Sequence, residues 1–144
     1  MTKPFSLLEE EATLSIIRTA DVLMQRTSNI LKPFDISGSQ YNVLRILRGA
    51  PEPLACGQIA ERMVSRDPDV TRLLDRMEAR GLISRARDGQ DRRVVKAQIS
   101  CKGMALLEEI EPHLNAHHRG HFAGFGEKKL KQLVEWMEQI REAS

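Results

Sequence analysis

Basic residues concentrated in the middle of this sequence are the side chains best placed to bind a charged ligand. Residues 62–103 contain 11 Lys and Arg against 6 Asp and Glu, a local charge of +5, whereas the remaining residues together carry −3. The net charge of +2 for the whole chain hides this separation. A segment with this positive charge is suited to bind a polyanion. Charge runs are more often a solvated surface, so the elements that position the arginines decide the interpretation.

The stretch from Asp67 to Gly81 is predicted to form a helix with arginines on its exposed side. We expect Asp67 to cap this helix, Pro68 to take its first position and Gly81 to end it, which gives about 13 residues. Its apolar residues recur at i, i+3, i+4 and i+7, the spacing of one buried helix face. They are Val70, Leu73, Leu74 and Met77. The outward or marginal positions are Asp69, Thr71, Arg72, Asp75 and Arg76.

Two shorter helices are predicted before this one. Ser37 and Gln40 match a capping box and open a helix that stops at Gly49. A short helix follows at about Cys56–Val64, with apolar residues on one face. This short helix and the arginine-bearing one are joined by a tight turn, which indicates a helix-turn-helix.

A β-hairpin is predicted directly after the helix-turn-helix. Leu82–Arg87 and Val94–Ile99 have the composition of strands, and Asp88-Gly89 marks a turn in the charged segment between them. The fold class that follows is mainly α with a small β-hairpin, a winged helix-turn-helix at about 37–100.

The helices at the two ends of the chain are predicted to form a dimer. Ser6 and Glu9 match a capping box, opening a helix at about 6–32 whose apolar stripe extends over more than about six turns. Such a stripe outreaches the core of one small domain. The C-terminal segment, about 101–142, is similarly apolar. We therefore expect one domain, 1–144, with dimerisation helices at both ends.

Several segments of the sequence, in the same order along the chain, resemble the MarR family of bacterial transcription regulators. The resemblance extends over nearly the whole chain. The segments that carry the resemblance are Gln40–Leu44, Ile59–Met63, Val70–Arg85, Asp91-Arg92-Arg93, and Ile99-Ser100 with Gly103. The resemblance implies a winged helix-turn-helix homodimer that binds duplex DNA at a palindromic operator. It further implies a transcriptional regulator, most simply a ligand-responsive repressor.

By this resemblance, the arginine-bearing helix is the recognition helix. Pro68, Asp69 and Arg72 would read bases, since Arg pairs bidentately with guanine and Asp accepts from cytosine. Thr71 and Arg76 are better placed for phosphates, which fix the register of the protein on DNA.

The resemblance assigns the hairpin tip to the minor groove. The family pattern of Asp, any residue, Arg falls on Asp91 and Arg93, and the carboxylate would orient the guanidinium. Arg93 would enter the narrow groove, where the negative potential is strongest. Arg92 is a second candidate for that insertion.

Family members also bind small aromatic or phenolic effectors in a cleft between the dimerisation and DNA-binding parts. Arg18 and Tyr41 are the residues expected near that cleft. No cofactor is predicted, and nothing in the sequence identifies an effector.

A zinc-responsive regulator is one alternative. His113 and His117 are spaced i, i+4, as are His117 and His121, so that either pair shares a helix face. Zinc-sensing family members take further acidic or thiol ligands from the first two helices, which contain no cysteine here. We therefore predict no metal site. Cys56 and Cys101 are expected to be buried, inert thiols.

The other functional classes are disfavoured. An enzyme would need a phosphate loop, a nucleophile elbow or an acid–base pair, and the sequence shows none of these motifs. A winged-helix module that binds a protein partner would favour neutral or acidic recognition and wing surfaces. The absence of a long apolar run or a secretion signal makes the cytoplasm the expected location.

Overall fold

A computed structural model describes residues 7–64 and 66–143 of the chain. Its helices are α1 (Leu8–Leu31), α2 (Gly38–Gly49), α3 (Cys56–Arg62), α4 (Val70–Ala79), α5 (Cys101–His121) and α6 (Gly126–Glu142). Its strands are β1 (Leu54–Ala55), β2 (Ile83–Arg87) and β3 (Val95–Ile99). The prediction of a mainly α fold with a winged helix-turn-helix is confirmed.

The first two helices follow their local signals. Helix α1 begins at Leu8, and the Ser6 of the predicted capping box lies outside the described residues. One turn of 3-10 helix at Lys32–Phe34 separates α1 from α2. The second capping box is present, since Ser37 Oγ accepts from the amide of Gln40 at 3.1 Å and Gln40 Oε1 accepts from the amide of Ser37 at 3.1 Å.

Helix α4 begins later than predicted and has 10 residues. Its cap is Asp69, whose Oδ1 accepts from the amide of Arg72 at 3.0 Å. Asp67 Oδ1 instead accepts from the amide of Asp69 at 2.9 Å, so Asp67 orders the preceding turn and Pro68 lies in that turn. The expected cap at Asp67 and helical position of Pro68 were wrong, because two aspartates offered competing caps. Gly81 ends the segment with a φ of +75°, as predicted.

The sheet has a third strand that the sequence patterns missed. It is antiparallel, in the order β1-β3-β2, and Leu54 of β1 pairs with Ala97 of β3. A two-residue strand is too short to show alternation. Helix α3 also ends at Arg62 rather than near Val64. Ala55 cannot cap α3, but Gln58 Oε1 accepts from its amide at 2.8 Å.

The chain divides near residue 110 into two compact units. In the first, the end of α1, helices α2–α4, the start of α5 and the sheet share an apolar core. Its fully buried large side chains include Leu31, Leu44, Ile59, Met77, Leu82, Leu107 and Ile110. The second unit contains the end of α5 and all of α6, where Leu114 is buried and no residue of α6 is. Among the described residues, no helix is long and apolar enough to cross a bilayer.

Gly103 lets the first turn of α5 approach the backbone beneath it. A Cβ built on this residue would lie 2.3 Å from the carbonyl oxygen of Leu82 and 2.8 Å from Cγ1 of Ile99. Real Cβ atoms do not come so close to a backbone atom. A larger residue at this position would therefore push the start of α5 away from Leu82 and Ile99.

Gly103→Ala is expected to lower the free energy of unfolding by about 1–3 kcal/mol, the usual cost of overpacking. The matched control is Gly120→Ala in the same helix, where the added Cβ meets no heavy atom within 4 Å in the described chain. That variant should gain about 0.5–1 kcal/mol from helix propensity. Urea unfolding measures both, and equal stabilities would contradict this account of the close approach.

Candidate nucleic-acid interface

The outward face of α4 carries the predicted polar residues. Val70, Leu73, Leu74 and Met77 are buried, and Asp69, Thr71, Arg72, Asp75 and Arg76 are exposed. The Arg72 side chain is 70% exposed, and its Nε lies 3.5 Å from Oδ2 of Asp69. The N-cap carboxylate therefore both begins the helix and holds the first outward arginine near the helix N-terminus.

At the hairpin tip, Asp91 holds Arg93 in a fork. Arg93 Nε donates to Asp91 Oδ1 at 3.1 Å and Nη2 donates to Oδ2 at 3.2 Å, while the Arg93 amide donates to Oδ1 at 3.1 Å. These bonds, with the side-chain bond to Arg93 the largest effect, lower the pKa of Asp91. The Arg93 side chain is 91% exposed, so it is held and still accessible to a ligand.

The main chain of the tip is held by a second arginine. Arg87 Nη1 donates to the carbonyl oxygen of Arg92 at 2.7 Å. Asp88 Oδ2 accepts from the amide of Asp91 at 3.3 Å, and Asp88 Oδ1 lies 3.7 Å from Lys96 Nζ. The tip is thus a turn with several internal bonds that present Arg92 and Arg93 outward.

Arg85 joins the hairpin to α4, a role that the sequence analysis missed. Its Nη2 lies 2.6 Å from Asp75 Oδ1 and 2.9 Å from Glu78 Oε1, and its amide donates to Glu78 Oε2 at 3.1 Å. The hydrogen bond to Asp75, and to a smaller extent the one to Glu78, raises the pKa of Arg85 above its ordinary value. One signal could have found it, because strand alternation places Arg85 on the same face as the buried Ile83.

A cavity of about 700 Å³ lies between the start of α3, helix α4 and the sheet. Its lining includes Thr71 of α4 and Arg93 of the hairpin, so residues predicted from two separate elements share one concave surface. Arg76 lines a different concavity, with Lys32, Gln40 and Arg80. The cationic groups therefore lie on both sides of α4.

The structure does not bring the predicted effector residues to either concavity. Arg18 is exposed on α1, and Tyr41 is half-buried beneath Arg45, whose guanidinium carbon lies 6.0 Å from the ring centroid. Neither lines the cavity or the Arg76 concavity. Their role as effector ligands stays a prediction.

The four histidines lie on α5. His117 packs against His121, with ring centroids 4.3 Å apart. The described residues contain no group of three His, Cys, Asp or Glu that could hold a metal ion.

Cys56 is half-exposed and Cys101 is exposed. The prediction of buried thiols was wrong, because both cysteines are the first residues of their helices, where the chain turns at the surface.

Comparisons with known proteins give a consistent result. Residues 34–94 match a family model described as MarR family. A MarR transcription factor from Planctomyces limnophilus is 40% identical, with 94% of this chain and 98% of that chain covered and a TM-score of 0.67. CouR from Rhodococcus jostii RHA1, solved with p-coumaroyl-CoA, is 21% identical, with coverages of 97% and 98% and a TM-score of 0.82. The homoprotocatechuate degradative operon repressor of Escherichia coli is 24% identical, over 92% of this chain and 89% of the repressor.

Arg85→Gln is expected to lower the free energy of unfolding by about 1–3 kcal/mol, because charged hydrogen bonds are lost and two carboxylates are left facing each other. Lys131→Gln is the control, since it breaks a fully surface pair with Glu127 and should cost under about 1 kcal/mol. Urea unfolding at neutral pH gives both values. Equal losses of unfolding free energy in the two variants would show that the bonds of Arg85 do not stabilise the packing of the hairpin on α4.

The pair of Asp91 and Arg93 gives a pH prediction. The pKa of Asp91 is lowered from its ordinary value of 3.8. The ion pair with Arg93 therefore stabilises the folded hairpin fully at a pH above 3.8, and this stabilisation is lost as the pH falls through the lowered pKa. Carboxyl NMR titration should find the Asp91 pKa below 3.8 in the wild type and higher in Arg93→Gln, where only the bond from the backbone amide of residue 93 remains. The same pKa in both proteins would contradict the fork.

Proposed function

The chain belongs to the MarR family of transcription regulators, and from this premise we propose that it is a sequence-specific repressor. It binds a palindromic duplex operator as a homodimer. The observation that carries the proposal is the placement of α4 and the hairpin: Arg85 joins them, and Thr71 and Arg93 line one concave surface. A single duplex can then contact both elements.

Helix α4 supplies the readout of bases. Its N-terminal end carries Asp69 and Arg72 outward, and Pro68 lies in the turn just before them. Arg72 pairs with guanine and Asp69 accepts from cytosine in the major groove. Thr71 and Arg76 bind phosphates on the two sides of the helix and fix its register.

The hairpin supplies the wing. Arg93 enters the minor groove beside the half-site, where narrow A·T-rich DNA concentrates negative potential. Arg92 is exposed next to it and binds the groove or its edge. Asp91 does not contact DNA; it limits the rotamers of Arg93 and so reduces the entropy lost on binding.

The terminal helices supply the dimer. Apolar side chains more than half exposed lie on both α1 and α6; they are Leu8, Ile17, Met24, Val134, Trp136 and Ile140. Apolar surface of this extent on a small protein marks an interaction site. A second copy that covers each of these faces with its own terminal helices forms a two-fold dimer, and the two-fold axis requires an inverted repeat in the operator.

A small aromatic or phenolic effector is proposed to release the operator. CouR, a protein of the same fold, was solved with p-coumaroyl-CoA. A ligand bound beside Arg18 and Tyr41 weakens DNA binding only if it prefers the arrangement of the two recognition helices that does not fit the operator.

Selection from a randomised duplex library tests the proposal. The purified protein is incubated at moderate salt, the retained duplexes are sequenced, and light scattering gives the mass of the protein and the complex. We expect a palindrome with half-sites about one helical turn apart, a dimer, and an affinity that falls steeply with salt. Retained duplexes without an enriched motif, or a monomer bound to one half-site, would refute it.

The two arginine roles are separable by substitution. Arg72→Ala should cost about 1–3 kcal/mol at one operator position and relax the base preference there. Arg93→Ala should lower affinity and remove the preference for A·T pairs in the flanking minor groove. Arg141→Ala, an exposed change of equal charge on α6, is the control. Competition binding with single-base variants measures all three, and unchanged preferences in both test variants would remove the assignments.

A further inference from the structure

The start of α5 holds the end of α4 through three successive carbonyls. Lys102 Nζ donates to the carbonyl oxygen of Arg80 at 2.7 Å. Ser100 Oγ donates to that of Gly81 at 2.6 Å, and the Ser100 amide donates to that of Leu82 at 3.0 Å. These bonds use Ser100, which the family resemblance includes, and its near neighbour Lys102, for neither of which the proposed function gives a role.

The carbonyls at a helix C-terminus lack partners within the helix and carry partial negative charge. Arg80 directly follows the last residue of α4, so an ammonium at its carbonyl is favourable both as a donor and as a charge. The Lys102 stem passes close to Gly81, since its Cδ would lie 3.7 Å from a Cβ added to that residue. Lys102 is thus bonded to α4 and not only solvated.

The first turn of α5 has little freedom to slide along this junction. Gly103 sits against the carbonyl of Leu82, and Ser100 Oγ accepts from the Gly103 amide at 3.0 Å while it donates to Gly81. From the other side, the Arg80 side chain reaches Gln40 of α2, with Nη1 3.5 Å from Oε1. The end of α4 is therefore held between α5 and α2.

We propose that Lys102 is a positioning residue for DNA reading: it acts through α4 and does not touch DNA. The inference rests on the proposed function of α4. Lys102 bonds the end of the helix opposite to Asp69 and Arg72, and 10 residues at 1.5 Å each separate the two ends by about 15 Å. Over that length, a shift of about 1 Å at the Lys102 end tilts the axis by about 4° and displaces the reading end.

This role predicts an effect on specific binding alone. A lysine that binds a phosphate adds to the affinity for every duplex and to the salt dependence, by about one unit of slope. A lysine that orients α4 instead affects only the complex in which Arg72 must meet a particular base. Loss of stability without loss of base preference would indicate neither role.

The experiment compares wild type, Lys102→Met, Lys102→Arg and Lys131→Met. Methionine keeps the apolar stem and removes the donor, arginine restores a donor, and Lys131→Met is an equal change of charge at an exposed position of α6. The readouts are Kd for the selected operator and for a scrambled duplex over a salt series, the urea midpoint, and hydrogen exchange of the Gly81 and Leu82 amides.

We expect Lys102→Met to weaken operator binding by about 3- to 10-fold, which corresponds to the net contribution of one ordinary hydrogen bond. Its salt slope and scrambled-duplex affinity should match those of Lys131→Met, the amides of Gly81 and Leu82 should exchange faster, and Lys102→Arg should restore binding. Equal losses on both duplexes, a smaller salt slope, or an unchanged operator Kd would overturn the inference. If wild type itself did not prefer the operator, the proposed function would fail instead.

Discussion

The arrangement of this winged helix depends on the ion pairs between Arg85 and the carboxylates of Asp75 and Glu78. Arg85 lies on the buried face of β2, with a side chain only 21% exposed, and its charge would be costly there without partners. Glu78 accepts from both the side chain and the amide of Arg85. The hairpin is therefore bonded to helix α4 through the middle of β2.

A second constraint is that each arginine proposed to read DNA is oriented by a carboxylate of its own element. Arg72 lies beside Asp69 and Arg93 beside Asp91, each pair on one element and close in sequence. The carboxylates reduce the net positive charge of the surface but limit the rotamers of the guanidinium groups, so less entropy is lost on binding. Under the proposed function, this arrangement contributes to base selectivity more than to total affinity.

The sequence predicted elements wherever the signal was local. The Ser37 and Gln40 box, the Gly81 terminator and the buried face of α4 depend on neighbouring residues, and all were correct. The cap of α4 was misplaced because Asp67 and Asp69 both suit it, and only the folded turn decides between them. The pairing of strand β1 joins residues 43 positions apart, which no short pattern shows. Strand alternation places Arg85 on the buried face of β2, but its partners on α4 follow only from the packing of the hairpin against that helix. The exposure of Cys56 also depends on tertiary packing.

Paired dimethyl sulfate and hydroxyl-radical footprints of the protein on its selected duplex would test most directly the central claim that α4 and the wing together read each half-site. The first reagent reports guanine N7 in the major groove, and the second reports deoxyribose along the minor groove. The account predicts two-fold symmetric protection, in which each major-groove half-site is accompanied by protection of the adjacent minor groove at a fixed spacing. In Arg85→Gln, the minor-groove protection should weaken while the major-groove protection remains. Protection confined to one groove in the wild-type protein, or without a dyad, would contradict it.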